Sequence, residues 1–223
     1  MGVAQHSLDD VGQSRGAGAL RNLQESIARE VTGIRAKPRE VLARVQQMVW
    51  AAAAQGAFEP WTSAGPGAPP KSTMIKGGGR LRKWKLQLFR IADGTSHPPH
   101  CHDNLASCLV VLQGRVHARE FDRVRAGENS AATTLVPVFD AELQPGEGLI
   151  TTEDYRNCHW FGSVGGPALA VNFKASGYMR FELFRFKVRR YVDARAARQP
   201  GGRASFLVPE VARQQYGGNI LQE

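Results

Sequence analysis

The hydrophobic period of the chain changes near residue 80, and this change constrains the fold more than any other feature. Before it, the apolar residues within 20–34 recur at spacings of three and four, which indicates an amphipathic helix. Pro38 can open a second helix, whose buried face we expect within residues 41–52. After residue 80, apolar and polar residues alternate, as in residues 83–88, and this is the period of a strand.

Further strand-like runs follow, among them residues 106–112, 115–121 and 133–143. They are separated by turn signals such as Gln113-Gly114 and Pro145-Gly146. Many short strands at this spacing are typical of an antiparallel sandwich or barrel. We therefore expect an all-β fold with an N-terminal α-helical extension, divided into a flexible lead (1–18), a helical pair (19–58), a linker loop (59–79), a barrel (80–192) and a C-terminal tail (193–223).

The charge balance favours anionic partners. Among 223 residues, Lys and Arg number 29 against 20 Asp and Glu, a net charge of +9. The basic strand faces lack the interleaved aromatic residues of a nucleic-acid platform, so we expect no nucleic-acid partner. The longest apolar run, residues 48–54, is too short to span a bilayer, so no membrane partner is expected either. Three cysteines do not make a disulfide framework, and they favour the reducing cytoplasm.

A histidine pair stands at the start of one apolar strand. On an extended strand, residues two apart point to the same face, so His100 and His102 share a face and Cys101 lies on the other. Two imidazoles on one face can chelate a divalent cation, although such a pair is also compatible with two surface histidines near a turn. Two prolines separate His97 from the pair, and we do not expect it to be a ligand.

The surroundings of this pair resemble the two sequence motifs of the cupin family. The first motif is a Gly, the His-x-His pair and a later Gly, here Gly94 and Gly114; the second is a Pro-Gly turn followed by a single histidine, here His159. The resemblance covers about residues 80–175. It implies a double-stranded β-helix, or jelly-roll barrel, that holds a metal on His100, His102 and His159.

One departure from the cupin pattern bears on the chemistry. Ser107 occupies the position at which many cupins carry a glutamate ligand. Three neutral histidines would leave the charge of a divalent metal uncompensated, and such a site favours an anionic ligand such as a thiolate or an enolate. This three-histidine pattern is similar to that of the cysteine dioxygenase-like thiol dioxygenases, which implies Fe(II), dioxygen and a small anionic substrate. Zn, Ni or Mn are alternative metals.

Three further residues are candidates for the site, one from the resemblance and two from their positions around His159. In thiol dioxygenases, an arginine before the His-x-His strand holds the substrate carboxylate. Arg90 is the candidate here because it shares a strand face with Leu86 and Leu88, although a solvated basic edge is also compatible with it. Tyr155, near His159, is expected at the mouth of the pocket, and Asn172 is expected to point inward. The Ser-His-Tyr relay of the group is absent, because its positions fall on Ala170, Asn172 and Lys174.

The sequence thus predicts a mononuclear non-haem Fe(II) dioxygenase that oxidises a small thiol to a sulfinate. Two alternatives remain open. One is a cupin dioxygenase that cleaves a carbon–carbon bond of a chelating dione or enol. The other is a non-catalytic cupin that binds a small ligand through a metal. The oligomeric state does not follow from the sequence.

Overall fold

The computed structural model describes residues 7–63, 73–77, 83–124, 132–176, 189–195 and 203–216. Its N-terminal part is helical, as predicted. Helix α1 (Ser7–Glu30) is followed by a 3-10 turn (Val31–Gly33), α2 (Pro38–Ala54) and the short α3 (Glu59–Thr62). Helix α1 begins inside the expected lead, at Ser7. Residues 1–6 of that lead lie outside the described residues.

Strands make up most of the rest of the described chain, and every strand pair is antiparallel. They form a five-stranded sheet in the order β1-β2-β9-β4-β7, and a second sheet, β3-β8-β5-β6, which β10 and β11 close into a ring. The strands are β1 (Thr73–Gly77), β2 (Lys83–Ile91), β3 (Ser96–His102), β4 (Leu105–Gln113), β5 (Val116–Val124), β6 (Ala132–Leu143), β7 (Gly148–Thr151), β8 (Cys158–Ser163), β9 (Ala168–Ser176), β10 (Arg189–Val192) and β11 (Arg203–Leu207), with α4 (Pro209–Tyr216) after them.

The two sheets face each other across an apolar layer. Phe89 and Leu109 of the five-stranded sheet pack in one cluster with Val116 and Phe161 of the second sheet. This arrangement is the double-stranded β-helix that the cupin resemblance implied, and the predicted fold class is confirmed. None of the helices in the described part has the length and apolar composition needed to cross a membrane.

Helices α1 and α2 cover the outer face of the five-stranded sheet. Leu23 and Leu42 pack there against Trp84 and Leu86 of β2. Gln46 fastens α2 to the sheet, because its Nε2 donates to the carbonyl oxygens of Leu109 (3.0 Å) and Leu149 (2.8 Å). One face of each strand in this sheet is therefore covered by helices, and the other faces the barrel interior.

The C-terminal strands cover the outer face of the second sheet. There Cys101, Cys158 and Leu135 pack against Val192 and Ala204. The segment predicted as a tail after residue 192 thus contributes β11 and α4 to the fold. Ala204 of β11 is fully buried there, and Phe206 packs against the same cluster.

Candidate metal centre

Strands β3 and β8 bring the three predicted histidines together. The two strands are antiparallel neighbours, and His100 lies directly opposite His159 in their register. His102 follows His100 by two residues and shares its face, as the strand period predicts. All three are at most 4% exposed. Cys101 and Cys158, also paired in register, lie on the opposite face.

The ring nitrogens of this triad converge. One nitrogen from each of His100, His102 and His159 lies within 4.8 Å of the other two, and within the described residues no Asp, Glu or Cys belongs to the group. Nε2 of His100 and Nε2 of His159 are 2.9 Å apart. Two imidazole ligands at about 2.1 Å from one metal ion, roughly at right angles, would be separated by about 3 Å. The donor set therefore fits a divalent metal.

Hydrogen bonds orient two of the ligand rings and fix the tautomer of His100. Nδ1 of His100 lies 2.9 Å from the Pro98 carbonyl oxygen, which can only accept, so this Nδ1 carries the proton. Nδ1 of His159 lies 3.3 Å from the Thr151 hydroxyl oxygen. The Thr151 hydroxyl can donate or accept, so this contact orients the His159 ring and leaves both of its tautomers open. The lone pair of His100 Nε2 points toward His159 Nε2, and bonds of this kind orient metal-binding histidines.

Burial keeps the triad neutral. It lowers the pKa of His159 to about 3, with further lowering by the charges of Arg189 and Lys174. Burial also holds the pKa values of His100 and His102 well below 6.5, and the neighbouring His159 adds to the effect. Neutral imidazole is the form that binds metal. No proton therefore has to leave these rings before a metal ion binds at neutral pH.

The inner face of the five-stranded sheet supplies the wall opposite the triad. Lys174 of β9 lies in register between Lys85 of β2 and Ser107 of β4, and Ser107 is opposite Thr151 of β7. Lys174 and Ser107 are each only 3% exposed. The position that holds a carboxylate in many cupins therefore holds a hydroxyl beside an ammonium group.

Strand β10 adds another cation and a phenol. Arg189 pairs with His102 and Tyr191 with His100, so both side chains lie on the histidine face of the sheet. The Tyr191 and His100 ring centroids are 6.1 Å apart. The sequence analysis took the basic residues of this region only as part of basic strand faces and named neither Arg189 nor Tyr191 as a site residue. The signal that was missed is that Arg189 and Tyr191 are two residues apart on one strand, so their side chains point to the same face.

A buried carboxylate, Glu120, was also missed. It lies opposite His159 on β5 and is fully buried, and Arg156 Nη1 donates to its Oε2 at 2.8 Å. Burial raises the pKa of Glu120 to about 7 despite this bond. Glu120 is not one of the converging ligand residues, so it lies beside the metal site without being a ligand.

Arg90 is not placed as predicted. It does share a face of β2 with Trp84, Leu86 and Leu88, but that face packs against the helices. Its guanidinium donates a hydrogen bond to the Trp61 carbonyl oxygen. The predicted shared face of Arg90, Leu86 and Leu88 is correct, but the prediction that this face lines the barrel interior is wrong. Helices α1 and α2 bury this face, so its apolar residues did not indicate which side faces the barrel interior.

Tyr155 and Asn172 have different surroundings. The half-buried Tyr155 ring lies near the guanidinium carbons of Arg39 in α2 (5.1 Å) and Arg156 (5.0 Å). Asn172 lies on β9 in register between Gln87 and a leucine of the inner apolar layer. It is 8% exposed, and its Oδ1 has no hydrogen-bond partner among the described residues. The structure places Asn172 inward as expected, whereas the contacts of Tyr155 are with arginines.

The two remaining candidate histidines are not in the triad. His117 is on the outside, where its Nε2 lies 2.5 Å from an Asp140 carboxylate oxygen. His97 is buried, with its ring centroid 4.4 Å from that of His100 and 5.3 Å from that of Phe161. Neither belongs to the group of converging ligand atoms within the described chain.

Several known structures are similar to part of this chain. The chain is similar to the Bacillus halodurans protein BH2720 (16% identity over 53% of this chain and 77% of that one, TM-score 0.39). It is also similar to an oxalate oxidase solved with glycolate (16% identity over 51% of this chain and 55% of that one, TM-score 0.33). A third similar structure is a Klebsiella pneumoniae protein with a double-stranded β-helix domain (13% identity over 51% of this chain and 78% of that one, TM-score 0.34). No protein-family model and no curated protein matches the sequence.

Proposed function

We propose that this protein is a mononuclear non-haem iron dioxygenase that oxidises a small thiol to a sulfinate with dioxygen. The observation that carries the proposal is the set of three neutral, converging imidazoles without an acidic ligand in the described chain. The overall reaction is balanced, because a thiol and one dioxygen molecule give a sulfinic acid, with sulfur oxidised and both oxygen atoms retained.

The charge of the site favours an anionic ligand at the metal. Three imidazoles bring no negative charge to a divalent ion, and Lys174 and Arg189 are near enough to lower the pKa of His159. A bound thiolate reduces this excess of positive charge in a buried space, where charge interactions are strong. An enolate would do the same, and the resemblance of the three-histidine pattern to that of thiol dioxygenases is what favours sulfur.

Ferrous iron, when bound, supplies reduction of dioxygen and lowers the pKa of a coordinated thiol. The residues of the chain bind the ion, orient its ligands and exclude water. His100, His102 and His159 hold the ion, and the Thr151 hydroxyl and the Pro98 carbonyl orient two of the rings. The apolar layer that includes Phe161 and Phe89 excludes water on the inner side of the triad.

Oxygen uptake by the iron-loaded protein tests this proposal. We expect uptake that depends on an added small thiol, and a sulfinate product that carries both atoms of isotopically labelled dioxygen. His102→Ala should abolish uptake, whereas His117→Ala, which changes a surface histidine, should leave it intact. Uptake with a dione but with no thiol would favour carbon–carbon cleavage instead. Ligand binding without any uptake would favour a non-catalytic binding protein.

A further inference from the structure

The side chain of Asn157 joins the two strands that carry the triad. Strands β3 and β8 are paired as far as Cys101 and Cys158, so His102 lies one residue beyond the pairing, and Asn157 is opposite it in the continued register. Nδ2 of Asn157 donates to the His102 carbonyl oxygen at 2.7 Å and to the Thr152 carbonyl oxygen at 3.2 Å. One side-chain amide therefore extends the contact between the strands to the last ligand of β3.

These contacts require an amide group at position 157. A main-chain carbonyl oxygen can only accept, so the group between the two carbonyls is the NH2 of Asn157, and an aspartate carboxylate could not replace it. Asn157 is 1% exposed, and its Oδ1 has no hydrogen-bond partner among the described residues. A buried acceptor without a partner is unfavourable. The two bonds of Nδ2 offset this cost, and one of them goes directly to a metal ligand.

The residue before Asn157 has an uncommon backbone conformation. Arg156 has a φ of 50°, in the left-handed region that residues other than glycine seldom adopt. Its N–H donates to Oδ1 of Asp122 at 2.7 Å, and its guanidinium donates to Glu120. Both partners are on β5, the neighbour of β8, so they hold the chain in this conformation just before β8 begins. Such a conformation persists only where the surroundings determine it, and here it directs Asn157 toward β3.

We propose that Asn157 is a positioning residue, which holds the main chain of His102 so that its ring meets the other two ligand rings at one metal ion. Oxygen atoms behind His100 and His159 orient those two rings directly, whereas Asn157 acts on the third ligand through its carbonyl group. Without the amide, this carbonyl would lose its contact with the segment that leads to His159, and the spacing of the three ring nitrogens would change. The inference rests on the metal site of the proposed function and not on its substrate.

The affinity and the spectrum of a bound metal test this role. Asn157→Leu removes the amide and keeps the branched shape of the side chain, and Asn157→Ala is a second variant that needs no additional space. Gln46→Leu is the matched control, because Gln46 also donates from one amide nitrogen to two carbonyl oxygens, neither of which belongs to the triad. For each protein, circular dichroism would check folding, competition with a chelator would give the cobalt(II) affinity, and visible absorption would report the geometry around bound cobalt(II).

We expect both Asn157 variants to bind cobalt(II) about 10–100-fold more weakly than the unchanged protein, as is typical when a group that supports a metal ligand is lost. The absorption bands of bound cobalt(II) should shift, because they depend on the arrangement of the ligands. Gln46→Leu should leave the affinity and the bands unchanged. If only one Asn157 variant folds, that variant gives the result.

Three outcomes would overturn the inference. The first is an unchanged affinity and unchanged bands in the folded Asn157 variants. The second is an equal change in Gln46→Leu, because the effect would then follow from any loss of a bridging amide. The third is failure of both Asn157 variants to fold, because Asn157 would then be needed for the integrity of the fold.

Oxygen uptake separates this inference from the proposed function. If the Asn157 variants change the affinity and the bands but no thiol supports uptake by the unchanged protein, the positioning role stands and the thiol oxygenase proposal is wrong. If thiols are oxidised but the Asn157 variants bind cobalt(II) with the same affinity and bands, the positioning role is wrong and the oxygenase stands.

Discussion

Nε2 of His100 and Nε2 of His159 face each other at 2.9 Å, while Nδ1 of each ring contacts an oxygen atom behind it. The two contacts are with the Pro98 carbonyl and the Thr151 hydroxyl. Because a carbonyl can only accept, the His100 proton is held away from the gap between the rings. The strand register thus points the lone pair of His100 Nε2 at His159, where a divalent cation can bind both rings.

Loss of the Thr151 hydroxyl should weaken metal binding without removing a ligand. Thr151→Val keeps the size of the side chain but leaves Nδ1 of His159 without its oxygen partner. Changes to such supporting groups typically lower metal affinity by about 10–100-fold. Competition with a chelator would measure this loss. Thr133→Val is the control, because the Thr133 hydroxyl is also buried but donates to the Val124 carbonyl oxygen, with no contact to the triad. Equal losses in both variants would contradict the orienting role.

The metal-free protein should lose stability as the pH falls below about 6.5. Burial lowers the pKa of His159 to about 3, so below 6.5 the unfolded chain binds a proton that the folded chain does not. The free energy of unfolding should then fall by up to about 1.4 kcal/mol per pH unit for this residue. The lowered pKa values of His100 and His102 act in the same direction.

Glu120 has the opposite effect on the pH dependence of stability between about pH 4.5 and pH 7. Burial raises its pKa to about 7, so above its ordinary value of 4.5 the folded chain retains a proton that the unfolded chain has lost. Its contribution to stability is therefore present at low pH and is lost as the pH rises through about 7. Urea unfolding at several pH values would show the balance, with His159→Gln and Glu120→Gln shifting the slope in opposite directions. A His159→Gln variant with the unchanged slope would contradict the account.

Gln46 should contribute to stability and not to metal binding. Its Nε2 donates to two carbonyl oxygens, on β4 and β7, so Gln46→Leu leaves both without this donor. We expect a loss of about 1–2 kcal/mol in the free energy of unfolding, measured in urea. Gln113→Leu is the matched control, because Gln113 donates a single exposed bond, to the Thr62 carbonyl oxygen. If Gln46→Leu unfolds no more readily than Gln113→Leu, the helix is held to the sheet by apolar packing alone.

A carboxylate at position 107 should change the balance of the site. Ser107→Glu places an acidic group in register with Lys174 and near Thr151. We expect tighter metal binding, because a carboxylate offsets the charge of a divalent ion. Ser107→Ala, which adds no charge, should not tighten metal binding. Unchanged metal affinity in Ser107→Glu would show that position 107 does not face the metal.

Periodicity was sufficient to predict a barrel or sandwich of antiparallel strands and the shared face of two histidines. An i, i+2 pair on a strand shares a face whatever its neighbours, so the common orientation of His100 and His102 followed directly from the sequence. The assignment of His159 as the third ligand came from the resemblance to the two cupin motifs and not from a local rule.

Periodicity was not sufficient to say which face of a strand is the inner one. Both faces of β2 are buried, one by helices and one by the opposite sheet, so the apolar residues that share a face with Arg90 gave no direction. Arg189 and Tyr191 depend on a different unknown, the pairing of β10 with β3, which lies far away in sequence. Glu120 likewise depends on its register with β8.

Metal content of purified variants tests the central claim most directly. After loading with ferrous iron and desalting, the unchanged protein should retain about one equivalent of metal per chain. His100→Ala, His102→Ala and His159→Ala should each fall to less than about a tenth of that, because two neutral imidazoles bind a divalent ion much more weakly than three. His97→Ala and His117→Ala should retain most of it. Equal metal content in all five variants, or a loss confined to His97→Ala, would contradict the assignment of the triad.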